Sequence, residues 1–308
     1  GDGTYITTNR PEQIVASGVT AIAAGDEHSL FLKSDGSLWA MGWSCHGQLG
    51  DGTIGDPPNP TYAIPEYYST NQPEQIVASD VTAIAAGGEH SLFLKSDGSL
   101  WAMGDNSFGE LGDGTGSNCT NQPEKIVAGD VIAIAAGGYH SLFLKSDGSL
   151  WGMGYNGFGQ LGIGAPSDGI NRPMQIVASG VTAIAACWDH SLFLKSDGSL
   201  WTMGGNFAGQ LGDGFSGDNL PYPEQVFPEP QPILICTPAS SADLQFNATC
   251  GFGGDFCLLS STNLTMPLNQ WTTLQTNSVT LRGENNYSVV LTNASVAGKQ
   301  CFFILHSQ

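Results

Sequence analysis

The stretch HSLFLKSDGSLWAMG, residues 28 to 42, returns almost unchanged three more times along the 308 residues of the chain. The copies begin at His28, His90, His140 and His190, which are spaced by 62, 50 and 50 residues. The longer first interval carries an insertion, IGDPPNPTYAIPEYYST, at 54 to 70. A period near fifty residues indicates a propeller or a solenoid assembled from repeated supersecondary units.

Each repeat unit has the pattern of four short β-strands. The runs VTAIAAG, HSLFLKSDG, SLWAMG and PEQIVAS follow one another, and Ser-Asp-Gly-Ser between the second and third suits a tight hairpin. The first strand consists of Ala and Gly around one Ile, which suits a crowded axis. The apolar run Leu30-Phe31-Leu32 suits a sheet that is buried on both faces. The pattern therefore predicts a four-stranded antiparallel propeller blade.

A longer stretch of the repeat resembles a known family. AIAAGGEHSLFLKSDGSLWAMGDNSFGELGDGT, residues 83 to 115, is similar to the repeat of the regulator of chromosome condensation family, and the resemblance covers residues 1 to 226. It implies blades of a β-propeller, seven in the family, and a function in nucleotide exchange on a small GTPase or in enzyme inhibition. The chain lacks the basic tail of the exchange factor, and its 54–70 insertion does not match that protein's wedge. No family site residue is therefore transferred.

The number of strands is uneven. The inner three strands occur four times, whereas the outer-strand motif occurs five times, starting at residues 11, 73, 123, 173 and 223. We therefore expect an all-β fold with four complete propeller-type blades and a partial one at the amino terminus. Residues 1 to 4, GDGT, match the tail of a preceding repeat. Either the chain is a fragment of a longer propeller, or the unmatched strand pairs with another copy, as in a ring or an extracellular filament.

The composition changes after residue 226. We expect a propeller-repeat domain at 1–226, a Pro-rich linker at 227–232 and a small β-sandwich-like domain at 233–308. Part of the last domain, STNLTMPLNQWTTLQT at 261–276, resembles a module at the carboxyl ends of large secreted bacterial proteins. A chain that begins with Gly1 rather than Met is expected to be processed or excised.

The charge excludes some partners. Acidic residues number 28 against 9 basic ones, a formal net charge of -19. No basic stripe remains for phosphates, so nucleic acid is excluded as a partner. No apolar run reaches the roughly 18 residues of a membrane helix, so membrane insertion is not expected.

The seven cysteines fall into two groups. The carboxyl-terminal domain holds an even set, which predicts two disulfides in an oxidising compartment, with free buried thiols as the alternative. The repeats hold three, which allow one pair and leave one thiol. The compartment predicted is extracellular or the cell surface. The disulfide candidates are Cys236, Cys250, Cys257 and Cys301, together with Cys45, Cys119 and Cys187.

The copies differ mainly at one end of the blade. The hairpin KSDGS is identical in all four, whereas the turn after strand one and the exit of strand three vary. In an antiparallel meander these two connections lie on the same side. Large aromatic residues among acidic and small polar ones there predict a partner-binding face, with neutral drift of solvated loops as the alternative. The aromatic residues are Trp43, Phe108, Tyr139, Tyr155, Phe158, Trp188 and Phe207.

No catalytic residue, metal or cofactor is predicted. The repeated histidine is expected to tie its turn by hydrogen bonds to the backbone. Cys45-His46 and the group Cys187, Asp189 and His190 lack the spacing of a zinc site, and no nucleophile elbow or phosphate loop occurs. We expect a secreted or cell-surface, non-enzymatic protein that acts by protein–protein contact, with self-assembly into a filament as one form. The alternatives are a propeller that regulates a folded partner, as an exchange factor or inhibitor does, and a hydrolase with an unrecognised site.

Overall fold

The computed structural model describes residues 1–3, 9–54, 69–116, 119–164 and 166–226, and beyond them the backbone of six strands. The chain divides into two compact units, Gly1–Val226 and Phe227–Gln308. All regular elements in the described residues are β-strands, so the predicted all-β class is confirmed. Within the same residues, no helix is long and apolar enough to span a membrane.

Four sheets of four antiparallel strands, each in chain order, form the first unit, and we call them blades 1 to 4. Blade 1 contains β1 (Val19–Ala24), β2 (His28–Lys33), β3 (Leu38–Trp43) and β4 (Ser69–Val77). Blade 2 contains β5 (Val81–Ala86), β6 (His90–Lys95), β7 (Leu100–Gly104) and β8 (Thr120–Val127). Blade 3 contains β9 (Val131–Ala136), β10 (His140–Lys145), β11 (Leu150–Gly154) and β12 (Ile170–Val177). Blade 4 contains β13 (Val181–Ala186), β14 (His190–Lys195), β15 (Leu200–Gly204) and β16 (Leu220–Val226).

The invariant hairpin contacts the next blade, and we call the region where two neighbouring blades pack together a joint. In blade 1, Oδ1 of Asp35 accepts hydrogen bonds from the backbone N–H and the hydroxyl of Ser37, at 2.9 and 2.6 Å. Gly36 takes the left-handed φ of 79° that the turn requires. Its carbonyl accepts a hydrogen bond from N of Val81, the first residue of blade 2, at 3.1 Å. The same contact recurs at Gly98 and Gly148, so it gives a physical reason for the identity of the hairpins of blades 1 to 3.

The core lies between neighbouring blades. Between blades 1 and 2, Leu30 and Leu38 are buried with Phe93 and Met103, and the other two joints repeat this arrangement. Each apolar side chain of this size that is fully buried stabilises the fold by about 1.5–3 kcal/mol. The consecutive apolar residues of the second strand are therefore explained by burial on both faces of the sheet.

The two ends of the row of blades are exposed. Ile22 of blade 1 is 81% exposed, and Leu194 of blade 4 is 40% exposed. Leu144, at the position of Leu194 in blade 3, is only 1% exposed because blade 4 covers it. The described residues thus leave one apolar sheet face uncovered at each end.

The amino terminus repeats a contact seen between complete blades. N of Gly3 donates to O of Asn71 at 2.8 Å, as N of Gly52 donates to O of Asn121. Residues 1–3 therefore occupy the place of a preceding repeat's tail, as predicted for a partial amino-terminal blade.

The strand predicted for the outer-strand motif at 11–15 is not observed, since residues 9–18 form no strand. Ile14 nevertheless lies beside Gly1 as Ile76 lies beside Gly50 in the next repeat, since a Cβ added at either glycine would be 3.2–3.3 Å from Cγ2 of that isoleucine. A strand needs a neighbour for its backbone hydrogen bonds. The described residues place no third strand beside 11–15, which accounts for the missing ladder.

The second unit contains two three-stranded antiparallel sheets, as expected for a two-sheet domain. One sheet has the order β17 (Ile233–Pro238), β18 (Leu244–Thr249) and β21 (Asn286–Leu291). The other has the order β20 (Thr272–Asn277), β19 (Phe256–Ser261) and β22 (Phe302–Ser307). Cys236 lies in β17 and Cys257 in β19, while Cys250, Cys301 and the linker 227–232 lie outside the described residues. The disulfides of this unit stay a prediction.

Candidate partner-binding face

Two loops of each blade lie side by side at one end of the sheet. In blade 2, N of Asp105, at the exit of β7, donates to O of Glu89, in the turn before β6, at 2.9 Å. In blade 3, N of Tyr155 donates to O of Tyr139 at 2.8 Å. The two variable connections of a blade are therefore held together, and they form what we call the variable face.

Six of the seven predicted aromatic residues form a continuous row on the variable face. The row runs across blades 2 to 4, and each ring packs against the next mostly edge to face, a favourable arrangement. Trp43, the seventh, ends β3 of blade 1. Ring centroids are 6.0 Å apart for Trp188 and Tyr139, 5.3 Å for Tyr139 and Phe108, 4.9 Å for Phe108 and Tyr155, 5.8 Å for Tyr155 and Phe158, and 5.1 Å for Phe158 and Phe207.

The ends of this aromatic row are its most accessible parts. Trp188 is 50% exposed and Phe207 is 57% exposed, whereas the rings between them are half-buried. Rings that support one another lose little conformational freedom when a partner binds. The row therefore offers a rigid apolar contact surface.

Carboxyl groups lie close to Tyr139, the second ring of the aromatic row. Burial raises the pKa of the Tyr139 hydroxyl, and Glu89, Asp105 and Asp26 raise it further because their negative charges lie close by. Burial also raises the pKa of Glu89, and the nearby Asp105 and Asp26 add to this effect. The face thus combines aromatic rings with crowded negative charge.

Glu110 is a buried acid that the sequence analysis did not single out. The other blades have Gln at this position. The replacement of that Gln by Glu in one copy alone is the feature of the sequence that could have identified Glu110. One carboxylate oxygen accepts a hydrogen bond from N of Phe108 at 2.8 Å. Burial raises the pKa of Glu110 to about 8, and the adjacent Asp105 contributes in the same direction. At neutral pH its carboxyl group is therefore largely protonated.

A small cavity opens where the first strands of the blades converge. It has a volume of about 230 Å³ and is lined by Ala of each blade and Gly of blades 1 to 3, together with Asp26, Cys187 and Trp188. Typical small-molecule sites measure roughly 300–1,000 Å³. The cavity is smaller than this range.

Three cysteines of the first unit are free thiols in the structure: Cys45, Cys119 and Cys187. Sγ of Cys119 donates to Oδ1 of Asp105 at 3.5 Å, and Sγ of Cys45 lies 3.2 Å from Nδ1 of His46. Burial, followed by the charge of Asp105, raises the pKa of Cys119 to about 11.

Donor atoms of His46, Asp105 and Cys119 lie within 4.8 Å of one another. The sequence analysis did not detect this group because its members belong to two blades and show no motif spacing.

The repeated histidines correct one prediction. Their side chains do not tie the turn by hydrogen bonds to the backbone; instead Nε2 of His28, His90 and His140 lies 2.8–2.9 Å from the hydroxyl of a serine in the next blade, and Nδ1 has no partner among the described residues. Each serine, for example Ser141, donates to a carbonyl, here O of Glu110 at 2.7 Å. The histidine must therefore be the donor through Nε2–H. Burial lowers the pKa of His28 and His90 to about 4 and that of His140 to about 3.

The fold and the variable face define a β-propeller repeat protein whose sequence differences are concentrated on one face. The chain belongs to the RCC1-like domain family, whose model matches residues 1–265. The resemblance of the repeat to the regulator of chromosome condensation is thereby confirmed.

Similar proteins agree with this assignment. The ultraviolet-B receptor UVR8 of Arabidopsis thaliana is 33% identical over 107 residues, 34% of this chain and 22% of that protein. The crystal structure of human WBSCR16 matches with a TM-score of 0.59 and 25% identity over 78% of this chain and 61% of that one. Prp20p of Saccharomyces cerevisiae matches with a TM-score of 0.57 and 23% identity over 70% and 52%, which shows the fold alone. The chain spans less than two thirds of each of these proteins.

Proposed function

We propose that this chain is a non-enzymatic protein that binds a partner protein through the variable face, and that the bound surface of the partner carries Lys or Arg residues. The observation that carries the proposal is the row of six packed aromatic rings beside crowded carboxyl groups. Aromatic residues are the most frequent energetic centres of protein interfaces. The cavity at the centre of the unit favours an inserted side chain over a substrate.

The negative charge of the variable face favours a partner with a basic surface. Lys and Arg side chains interact favourably with aromatic faces and with carboxylates. The chain itself has a net charge of -19, so electrostatic attraction favours the approach of a basic partner. Prp20p, similar in fold, has reported binding properties towards Gsp1p and histones. Histones are basic, and they therefore serve as a probe of this proposal.

The test measures binding of purified histones by calorimetry, with the variant Tyr139→Ala/Trp188→Ala. The two changes leave the charge constant, so a purely electrostatic contact would be unaffected. We expect the affinity to fall at least thirtyfold, since truncation of even one aromatic residue at the energetic centre of an interface costs about 2 kcal/mol or more. The control Tyr222→Ala removes an exposed ring on β16 that is not one of the six rings of the row, and should bind like the wild type. Equal affinities of all three proteins would contradict the proposal.

A second proposal concerns self-association. We propose that copies of the chain join end to end, because blades 1 and 4 leave Ile22 and Leu194 exposed on sheet faces that are buried at every other joint. Such head-to-tail contact produces a ring or a filament. Sedimentation and electron microscopy of the full chain test it, with Ile22→Glu and Leu194→Glu as variants. A wild-type protein that stays monomeric at high concentration would refute this proposal.

We also propose an extracellular or cell-surface location. The acidic composition, the four cysteines of the second unit and the resemblance of 261–276 to a module of secreted proteins support it. Mass spectrometry of alkylated native material tests it. Cys236, Cys250, Cys257 and Cys301 should resist alkylation until reduced, and their modification without reductant would argue for a reducing compartment.

A further inference from the structure

We propose that Cys45, His46, Asp105 and Cys119 bind one Zn²⁺ ion at the joint between blades 1 and 2. Cys45 and His46 follow β3 of blade 1, Asp105 follows β7, and Cys119 precedes β8 of blade 2. The ion would join two blades at the edge of the variable face.

The distances suit a tetrahedral ion. With bonds of about 2.0–2.3 Å to N, O and S, ligand atoms around Zn²⁺ lie roughly 3.3–3.8 Å apart. Sγ of Cys119 is 3.5 Å from Oδ1 of Asp105, and donor atoms of His46, Asp105 and Cys119 all lie within 4.8 Å of one another. Sγ of Cys45 is 3.9 Å from Nε2 of His46, which places a second thiol beside this group of three as the fourth ligand.

Internal comparison separates this group from the common scaffold of the repeat. The four residues depart from the repeat at four positions on two blades, yet the fold brings them together. Independent drift in separate loops would not be expected to bring His46, Asp105 and Cys119 within 4.8 Å of one another, with the thiol of Cys45 beside them. Blade 3 has Gly157, Phe158, Tyr155 and Gly169 at the positions of Cys45, His46, Asp105 and Cys119.

The burial of Asp105 also favours a cation. Asp105 is only 4% exposed; its Oδ1 accepts hydrogen bonds from N of Asn106 and from N and Oγ of Ser107, but no ion pair joins it to Lys or Arg among the described residues. A buried carboxylate without a counter-charge is unfavourable. When Zn²⁺ binds, each thiol releases its proton to solvent as its Zn–S bond forms. Two thiolates and one carboxylate then surround the divalent ion.

Glu89 contacts His46 in the way that carboxylates contact metal-binding histidines. Oε2 of Glu89 lies 2.9 Å from Nδ1 of His46, which leaves Nε2 available to the ion. A carboxylate in this position fixes the tautomer and the orientation of the ring. Thiolate and imidazole ligands favour zinc over magnesium or calcium, which prefer oxygen.

The test uses the full chain, freed of metal with a chelator under reducing conditions. Calorimetry with Zn²⁺ should show one equivalent bound. Co²⁺ in its place should show the absorption bands of a tetrahedral thiolate complex. Cys119→Ser and His46→Phe substitute residue types that other blades carry at these positions, Ser69 and Phe108, so both variants should fold. Each should lower the affinity at least tenfold, and Asp105→Asn should lower it while keeping an oxygen acceptor for the loop.

Two controls locate the ion. Cys187→Ser removes a free thiol outside the group and should bind Zn²⁺ like the wild type. Cys45→Ser/Cys119→Ser should lose the thiolate bands of Co²⁺. Uptake retained by this double variant would place the metal elsewhere and overturn the proposal. A wild type without stoichiometric uptake, or native material with a Cys45–Cys119 disulfide, would overturn it as well.

Discussion

Nε2 of His90 and the hydroxyl of Ser141 lie 2.9 Å apart across the joint between blades 2 and 3. The same pair recurs between blades 1 and 2 and between blades 3 and 4. Both side chains of the central pair are fully buried, so water does not replace the bond when it is broken. The histidine that marks each repeat is therefore a polar link between blades, within an apolar joint.

Removal of the serine should destabilise the joint. Ser141→Ala leaves the buried N–H of His90 without an acceptor, and an unsatisfied buried group costs about 1–3 kcal/mol. Ser29 occupies the same position in blade 1 but lines the exposed groove at its end, so Ser29→Ala should cost less than about 0.5 kcal/mol. Urea unfolding at pH 7 measures both free energies. Equal losses would mean that the bond between blades adds nothing.

The histidines should also make the propeller sensitive to acid. The pKa of His140 is lowered to about 3 by burial, against about 6.5 in the unfolded chain. Protonation therefore favours unfolding. The contribution of His140 is complete above pH 6.5 and is lost as the pH falls from 6.5 toward 3. At pH 5 the loss for one such histidine is about 2 kcal/mol.

The measurement compares the free energy of unfolding at pH 7 and pH 5. His140→Gln has no titrating group at this position, so its stability should fall less between the two pH values. His190→Gln is the matched control, because His190 is only half-buried at the end of the row. A wild type and a His140→Gln variant with the same pH dependence would exclude His140 as a source of the acid sensitivity.

Much of the fold followed from the repeat itself. Strand identity, blade order and hairpin geometry depend on local sequence, and that sequence is repeated in all four copies. The strand predicted at 11–15 was wrong because a ladder depends on a neighbouring strand, which a local motif does not reveal. Exposure of Ile22 and Leu194 likewise depends on what lies beside a blade.

The site was predictable in part. Comparison of the copies selected the loops and the aromatic residues, because those positions vary against a constant scaffold. Their order in space, such as Phe108 between Tyr139 and Tyr155, depends on how adjacent blades pack. The approach of His46 to Asp105 was missed for the same reason, since the two residues are distant in sequence and share no spacing motif.

Equivalent leucines should differ sharply in their contribution to stability. Leu144→Ala should cost about 2–5 kcal/mol, since this side chain is 1% exposed and leaves a cavity. Leu194→Ala should cost less than about 1 kcal/mol in the monomer, because its side chain is 40% exposed. Chemical unfolding at low protein concentration measures both. A large loss for Leu194→Ala that appears only at high concentration would instead indicate burial against another copy.

Alanine substitution of two hairpin glycines should distinguish the cost of backbone strain from the cost of a steric clash with the next blade. Gly148 and Gly198 have nearly the same φ, 79° and 84°, so alanine at either position incurs a left-handed penalty of about 1–2 kcal/mol. An added Cβ at Gly148 would lie 2.8 Å from N of Gly180 in blade 4, whereas none of the described residues lies within 4 Å of one at Gly198.

Gly148→Ala should therefore cost about 1–3 kcal/mol more than Gly198→Ala. O of Gly148 also accepts the hydrogen bond from N of Val181 at 3.0 Å, and displacement of the hairpin would weaken it. Urea unfolding measures the two free energies, and hydrogen exchange at Val181 N–H reports the joint directly. Equal stabilities, with unchanged protection of that N–H, would show that the hairpin tolerates the added carbon, and that another constraint keeps its sequence identical.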